Sequence, residues 1–188
     1  MLVAALCLIL ASSAVAAAET PPIPTLAAGV PEALEPPVLR DEEMARWRPS
    51  AEDPPELGAI KLRILKGENG AQFIKELQML GHRYAKNPDI PYLLGQIYLG
   101  KLWVADGLKL LRRAIELDER LRGNPFLIRA ALNGLGNDGE ATRVRRFLVQ
   151  DIGMPAAPYL EEVLYGEWRQ QVKARASDTL REILAAPI

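Results

Sequence analysis

Apolar residues recur every three to four positions from residue 56 to the end of the chain, a spacing that is typical of amphipathic α-helices. Start and stop signals divide this region into eight predicted helices, at residues 56–66, 70–86, 89–101, 104–121, 125–136, 139–152, 156–165 and 168–185. No window alternates apolar and polar residues for long enough to predict a strand. We therefore expect an all-α fold.

Local signals mark several of the predicted helix ends. Asn124 is suited to cap a helix, and Pro125 fits the first turn of that helix. Asp138 is expected to cap the following helix. Four glycines suit helix ends, where a positive φ is often required: Gly67, Gly123, Gly136 and Gly153.

The predicted helices pair into four hairpins. They begin near residues 56, 89, 124 and 155, so their spacings are about 33, 35 and 31 residues. A period in this range indicates a short α-solenoid, in which each hairpin buries its apolar face against its neighbours. The predicted repeat domain covers residues 56–188.

The second hairpin, residues 88–121, carries the packing pattern of a tetratricopeptide unit. The residues that match this pattern are Leu94, Gly95 and Tyr98 in its first helix and Gly107, Leu111 and Ala114 in its second. The hairpin resembles such a unit, although Pro91 replaces the usual Trp and Glu119 the usual final Pro. The resemblance implies that the two helices approach closely at Gly95 and Ala114.

The last hairpin is similar to a HEAT-like repeat. The similarity rests on the run GMPAAPYL at residues 153–160, followed by Val172, Ala176, Leu180 and Ile183. The whole layout also resembles the region after the membrane helix in some bacterial receptor-type serine/threonine kinases. No kinase motif is present in the chain itself.

Residues 1–18 form an uncharged apolar run that ends in small residues. The run fits a cleaved secretory signal, although no Lys or Arg follows Met1. Eighteen helical residues span about 27 Å, so the run also fits a membrane anchor, or the remnant of a membrane helix with a domain upstream. Each interpretation places the protein in the periplasm, outside the cell or anchored in the bacterial envelope.

Residues 19–55 contain nine of the fifteen prolines and are predicted to form an extended spacer, with one short helix at residues 40–48. The spacer is acidic: residues 1–56 carry nine acids and three bases, whereas residues 57–188 carry fifteen acids and twenty bases. The overall net charge of −1 does not indicate a nucleic-acid partner. Basic clusters at Arg112–Arg113 and Arg143–Arg146 either bind an acidic ligand or pair with Glu116, Glu140 and Asp151.

Residues for catalysis or metal binding are scarce. His82 is the only histidine and Cys7 the only cysteine, so neither a catalytic triad nor a metal site of these residues is expected. The pair Glu161–Glu162 is expected to lie on a solvated helix face, although a small hydrolase using carboxylates is an alternative. We expect no enzymatic activity and no cofactor.

The predicted partner site is a groove lined by the first helices of the hairpins, as the tetratricopeptide resemblance implies. Its candidate residues are Tyr92 and Gln96 from one hairpin and Arg129 and Asn133 from the next. Each pair is spaced i, i+4 and so shares one helix face. Tyr92 could instead pack at the junction of two repeats.

These observations favour a non-enzymatic scaffold, exported or tethered to the membrane, that binds a protein segment in this groove. The alternative is the extracytoplasmic regulatory region of a bacterial kinase-type signalling protein whose catalytic domain lies on an upstream segment. The sequence identifies no partner.

Overall fold

The structure, a computed structural model, describes residues 45–186, the side chain of Ala45 excepted. Helical turns make up 78% of these residues and none of them lies in a strand, which confirms the predicted all-α fold. The α-helices of this region are α1 (Pro55–Leu65), α2 (Ile74–Arg83), α3 (Asp89–Gly100), α4 (Val104–Leu117), α5 (Pro125–Asn133), α6 (Ala141–Phe147), α7 (Ala157–Tyr165) and α8 (Gln170–Ala185).

The predicted signal or anchor at residues 1–18, and the predicted spacer as far as residue 44, lie outside the described residues. Among the helices of residues 45–186, none combines the length and the apolar character needed to cross a bilayer. Of the short helix predicted at residues 40–48, the described part forms one 3₁₀ turn at Ala45–Trp47.

Several predicted helices end in turns that are not α-helical. 3₁₀ turns occupy Gly70–Phe73 before α2, Glu119–Gly123 after α4 and Gly134–Gly136 after α5. The helix predicted at residues 139–152 is α-helical only in α6 and continues as a π turn at Leu148–Ile152. Such changes of geometry at helix ends satisfy backbone groups that have no partner in the regular helix.

The start of α5 forms as its sequence predicts. The side-chain Oδ1 of Asn124 accepts a hydrogen bond from the amide of Leu127 at 3.0 Å, and Pro125 occupies the first turn. Gly67 and Gly153 adopt positive φ angles of 92° and 70° at their helix ends. These signals explain why the hairpin boundaries could be placed from the sequence.

The prediction that Asp138 caps the next helix is wrong. α6 begins at Ala141, and Glu140 before it makes no capping bond with its side chain. Oδ1 of Asp138 instead accepts hydrogen bonds from Arg175 Nη2 at 2.5 Å and from Gln171 Nε2 at 2.8 Å. A guanidinium is a stronger donor to a carboxylate than a neutral amide is, so Asp138 joins this turn to α8.

α3 and α4 form the most closely packed hairpin, because glycines lie at their contact. A Cβ atom added to Gly95 would lie 2.6 Å from Cδ2 of Leu111, and one added to Gly107 would lie 2.9 Å from Cγ of Leu99. Ala114 is fully buried in the same hairpin. These contacts agree with the close approach expected at Gly95 and Ala114.

From the second hairpin onward, the first helix of a hairpin packs on the first helix of the next: α3 contacts α5, and α5 contacts α7. The second helices form a matching row, in which α4 contacts α6 and α6 contacts α8. Buried apolar side chains from all of these helices, together with α1 and α2, form one continuous core. The two rows are compatible with the predicted α-solenoid.

Candidate functional site

A segment of the chain itself lies where α3 meets α5. Trp47 lies edge to face against Tyr92 of α3, with ring centroids 5.8 Å apart, and against Phe126 of α5 at 6.4 Å. Trp47 is half-buried by these contacts, and Tyr92 beneath it is 0% exposed. We call the surface formed by Tyr92, Gln96 and Phe126, with the carboxylates of Asp89 and Asp118, the α3/α5 groove.

The residue before Trp47 binds the acidic part of this groove. Nη1 of Arg46 donates to Oδ1 of Asp89 at 2.8 Å, and Nη2 donates to Oδ2 of Asp118. Asp89 is the first residue of α3, and Asp118 follows the last residue of α4. One guanidinium therefore connects the two ends of the second hairpin.

A buried lysine extends this set of charges towards α1. Nζ of Lys61 lies 2.9 Å from Oδ2 of Asp53 and 2.5 Å from Oδ2 of Asp89. The side chain of Lys61 is only 1% exposed. Burial makes such a group costly unless it is paired, and here two carboxylates surround it. Asp53 lies between Trp47 and α1, so the segment before α1 is bound at two separate points.

The electrostatic environment of Asp118 favours its charged form. Burial alone would raise the pKa of Asp118, but hydrogen bonds from Arg120 and Arg46 and the charge of Arg46 lower it to about 2. Oδ1 of Asp118 also accepts a hydrogen bond from the backbone amide of Arg120 at 3.1 Å. Asp118 is thus a fixed negative charge at neutral pH.

For Tyr92, burial is the dominant influence. It raises the pKa of the phenol well above its usual value, so the hydroxyl stays neutral. Its Oη lies 3.2 Å from Oδ1 of Asn124, the residue that caps α5. Tyr92 therefore provides an apolar ring beneath Trp47 and one hydrogen bond between the two hairpins.

Two donors in the groove are buried and make no hydrogen bond of normal length within the part of the chain that the structure describes, although each lies close enough to the Tyr92 hydroxyl to offset part of the rise that burial causes in its pKa. They are Nε1 of Trp47 and Nε2 of Gln96. A buried donor that has lost its water and gained no partner destabilises the state in which it lies. The contact between the segment and the groove is therefore favourable in charge and apolar area but incomplete in hydrogen bonding.

The structure separates the four residues predicted to line a groove. Tyr92 lies under Trp47 and is fully buried, so it is not an open ligand contact while the segment is in place, and Gln96, one turn further along α3, is half-buried with its Nε2 out of solvent. Arg129 points to α7, where Nη2 contacts Oε2 of Glu162 at 3.2 Å, and Asn133 is exposed at the end of α5. Whether these residues bind a partner stays a prediction.

Sequence reasoning missed the residues that occupy the groove, because it assigned them to a spacer. Two of the three bases in residues 1–56, Arg46 and Arg48, flank a tryptophan within an acidic, proline-rich stretch. A basic and aromatic cluster of this kind was the available signal. Phe126, Asp89 and Asp118 lie at helix ends, and only the fold brings them together.

The other candidate groups lie apart from the groove. The basic clusters pair within and between second helices: Arg112 with Asp151, Arg113 with Glu116 and Arg143 with Glu140. His82, Glu161 and Glu162 are exposed. Among residues 45–186, no group of three or more His, Cys, Asp or Glu side chains is placed to hold a metal ion.

Comparison of this chain with family models, with curated proteins and with solved structures found no match. The functional argument therefore rests on the α3/α5 groove and on the residues that fill it.

Proposed function

We propose that this protein is a non-enzymatic interaction scaffold, exported or tethered to the membrane, that binds a short segment of a partner protein in the α3/α5 groove. One observation carries the proposal: the groove already holds a short peptide segment, Ala45–Trp47, through two carboxylates and two aromatic rings. A surface that holds a segment of its own chain has the shape and the chemistry to hold a similar segment of another chain.

The arrangement of the binding groups supports this function. Rigid elements present them: Tyr92 and Phe126 lie on α3 and α5, and Asp89 and Asp118 lie at helix ends. Aromatic rings and buried charges fixed on a rigid scaffold bind a ligand with little loss of entropy in the receptor. The groove therefore needs no rearrangement beyond departure of the segment.

The proposal can be tested with a full-length variant in which the groove is vacated. In Arg46→Ala/Trp47→Ala, both side chains that fill the groove are removed, and a random peptide display library is then selected on this protein. We expect selected peptides to bind it at micromolar affinity, about −8 kcal/mol, and to bind the wild type more weakly. Hydrogen exchange should show that the peptides protect α3 and α5.

The matched control removes the same residue types at the other end of the domain. In Trp168→Ala/Arg181→Ala the exposed Trp168 and Arg181 of the fourth hairpin are lost and the α3/α5 groove stays filled. This variant should select no groove-binding peptides. The proposed function is wrong if the vacated protein is fully helical and yields no binders, or if their protection maps to α7 and α8.

A further inference from the structure

We propose that the α3/α5 groove recognises a partner segment in which an arginine is directly followed by an aromatic residue, and that Ala45–Trp47 occupies this site in cis until such a segment displaces it. The inference rests on the proposed function and adds the chemical class of the partner.

The charges of the groove require one cation from the ligand. The two carboxylates of the groove, Asp89 and Asp118, and the neighbouring Asp53 contact three cations, namely Lys61, Arg120 and Arg46. When Arg46 leaves, this set keeps three negative charges and two positive ones. Asp89 and Asp118 are only 15% and 10% exposed while Arg46 is bound, so in the filled groove it is a cation of the ligand rather than water that pairs with them.

The geometry of the two carboxylates selects a guanidinium over an ammonium. Nη1 and Nη2 of Arg46 reach different carboxylates, Asp89 and Asp118, which belong to different ends of the hairpin. The fork of a guanidinium offers donors on separate nitrogens and so spans two acceptors that lie apart, whereas an ammonium reaches two carboxylates only where both approach its one nitrogen, as Asp53 and Asp89 do at Lys61. Lysine at this position should therefore bind less well.

The aromatic position follows the cation directly. Trp47 is the next residue after Arg46, and its indole meets Tyr92 and Phe126 while Arg46 is bound to Asp89. The 3₁₀ turn at Ala45–Trp47 places the two side chains at their respective sites. Reversing their order would put the ring over the carboxylates and the charge over the rings.

The segment that fills the groove is suited to exchange. The turn is three residues long, and the indole Nε1 of Trp47 is buried and makes no hydrogen bond of normal length within residues 45–186. The segment has one advantage over a partner: its covalent connection to α1 keeps it at a high effective concentration near the groove. A partner segment that supplies an acceptor for Nε2 of Gln96, or is itself tethered nearby, can displace it.

The test uses a fluorescent peptide of residues 41–50 and the full-length chain. We expect the peptide to bind Arg46→Ala/Trp47→Ala about tenfold or more tightly than it binds the wild type, whose own segment competes. Peptides with Arg46→Lys, with Trp47→Ala or with these two residues in reversed order should each bind about tenfold more weakly. Adding Asp118→Asn to the receptor should reduce binding of the original peptide by a similar factor.

A second receptor keeps the test decisive if the double variant does not fold. Arg46→Gln retains the indole and its contacts, weakens only the charged contact and should bind the peptide several-fold more tightly than the wild type does. If the double variant is unfolded, the peptide should restore its helical spectrum, whereas the reversed peptide should not.

Three results would overturn the inference. The first is that the peptide binds neither variant although both are helical, and the second is that its binding does not depend on the order of arginine and tryptophan. The third is sedimentation that shows a dimer of the wild type with the double variant, in which case the occupant is a second copy of this chain. If library-selected peptides still protect α3 and α5 in these cases, the proposed function stands without this specificity.

Discussion

Trp47 meets Tyr92 edge to face, with 5.8 Å between the ring centroids and 63° between the ring planes. The contact spans 45 positions of sequence and joins the predicted spacer to the predicted groove. Aromatic pairs in this geometry stabilise a fold beyond the apolar area that they bury. The last part of the spacer is thus part of the packed domain.

Trp47→Ala is expected to lower the free energy of unfolding by about 2 kcal/mol, because it removes the ring contacts with Tyr92 and Phe126 from a half-buried position. Urea titration followed by circular dichroism measures the change. Trp168→Ala is the control, since Trp168 is 39% exposed, and its effect should be below about 1 kcal/mol. Equal effects for the two variants would contradict the docking of Trp47.

Asp118 makes stability depend on acid pH. Because its pKa is about 2 in the folded protein and 3.8 ordinarily, its contribution is complete above about pH 4 and is lost as the pH falls towards 2. Asp118→Asn should therefore cost about 2 kcal/mol near neutral pH and progressively less below pH 4. Urea midpoints near pH 7 and pH 3 measure the change. If the difference in free energy of unfolding between wild type and variant stays constant with pH, the charge of Asp118 is not the cause of its stabilising effect.

Gly95→Ala is expected to destabilise the protein by about 1–3 kcal/mol, because the new Cβ atom would lie 2.6 Å from Cδ2 of Leu111. This loss exceeds the gain of at most about 1 kcal/mol that alanine brings to a helix. Gly100→Ala is the control in the same helix, since a Cβ atom there meets nothing within 4 Å. Thermal unfolding of both variants should show a lower midpoint only for the first. A tryptophan at position 95 should be more damaging still.

Leu102 has a φ of 62°, a conformation that glycine adopts without strain and leucine does not. Its side chain is 76% exposed at the turn between α3 and α4, so little packing is lost when it is removed. Leu102→Gly should therefore leave stability unchanged or raise it by up to about 1 kcal/mol, in spite of the greater freedom of glycine in the unfolded chain. Lys101→Gly is the control, because Lys101 has a φ of −91° and gains no relief from glycine. Urea titration of both variants should show a lower free energy of unfolding for Lys101→Gly only.

The sequence was sufficient to predict which segments are helical and about where each hairpin begins, because the signals for both are local. Asn124 and Pro125 begin α5 whatever surrounds them, and the apolar period defines which face each helix buries. Asp138 shows the limit of such reasoning: its local preference for capping is overridden by Arg175, which is 37 residues away in sequence. The 3₁₀ and π turns likewise depend on how the ends of the helices meet their neighbours.

The groove could be anticipated only in part. Tyr92 and Gln96 share one face of a first helix, and Tyr92 lies at the junction of two hairpins, where its hydroxyl bonds to Asn124. Packing of Tyr92 at the repeat junction was the alternative expectation, but its cover by Trp47 could not be foreseen, because the proline content assigns Trp47 to a spacer. Asp89 and Asp118 were likewise separate helix-end residues until the fold placed both beside Arg46.

Lys61 has a consequence for chemical labelling. Its amine is 1% exposed and lies between Asp53, on the segment before α1, and Asp89, at the start of α3. An acylating reagent needs an accessible, unprotonated amine, so Lys61 should react far more slowly than the exposed Lys75 in the native protein. The rate at which mass spectrometry detects acylation of Lys61 then measures how often the segment that carries Asp53 lifts from the domain.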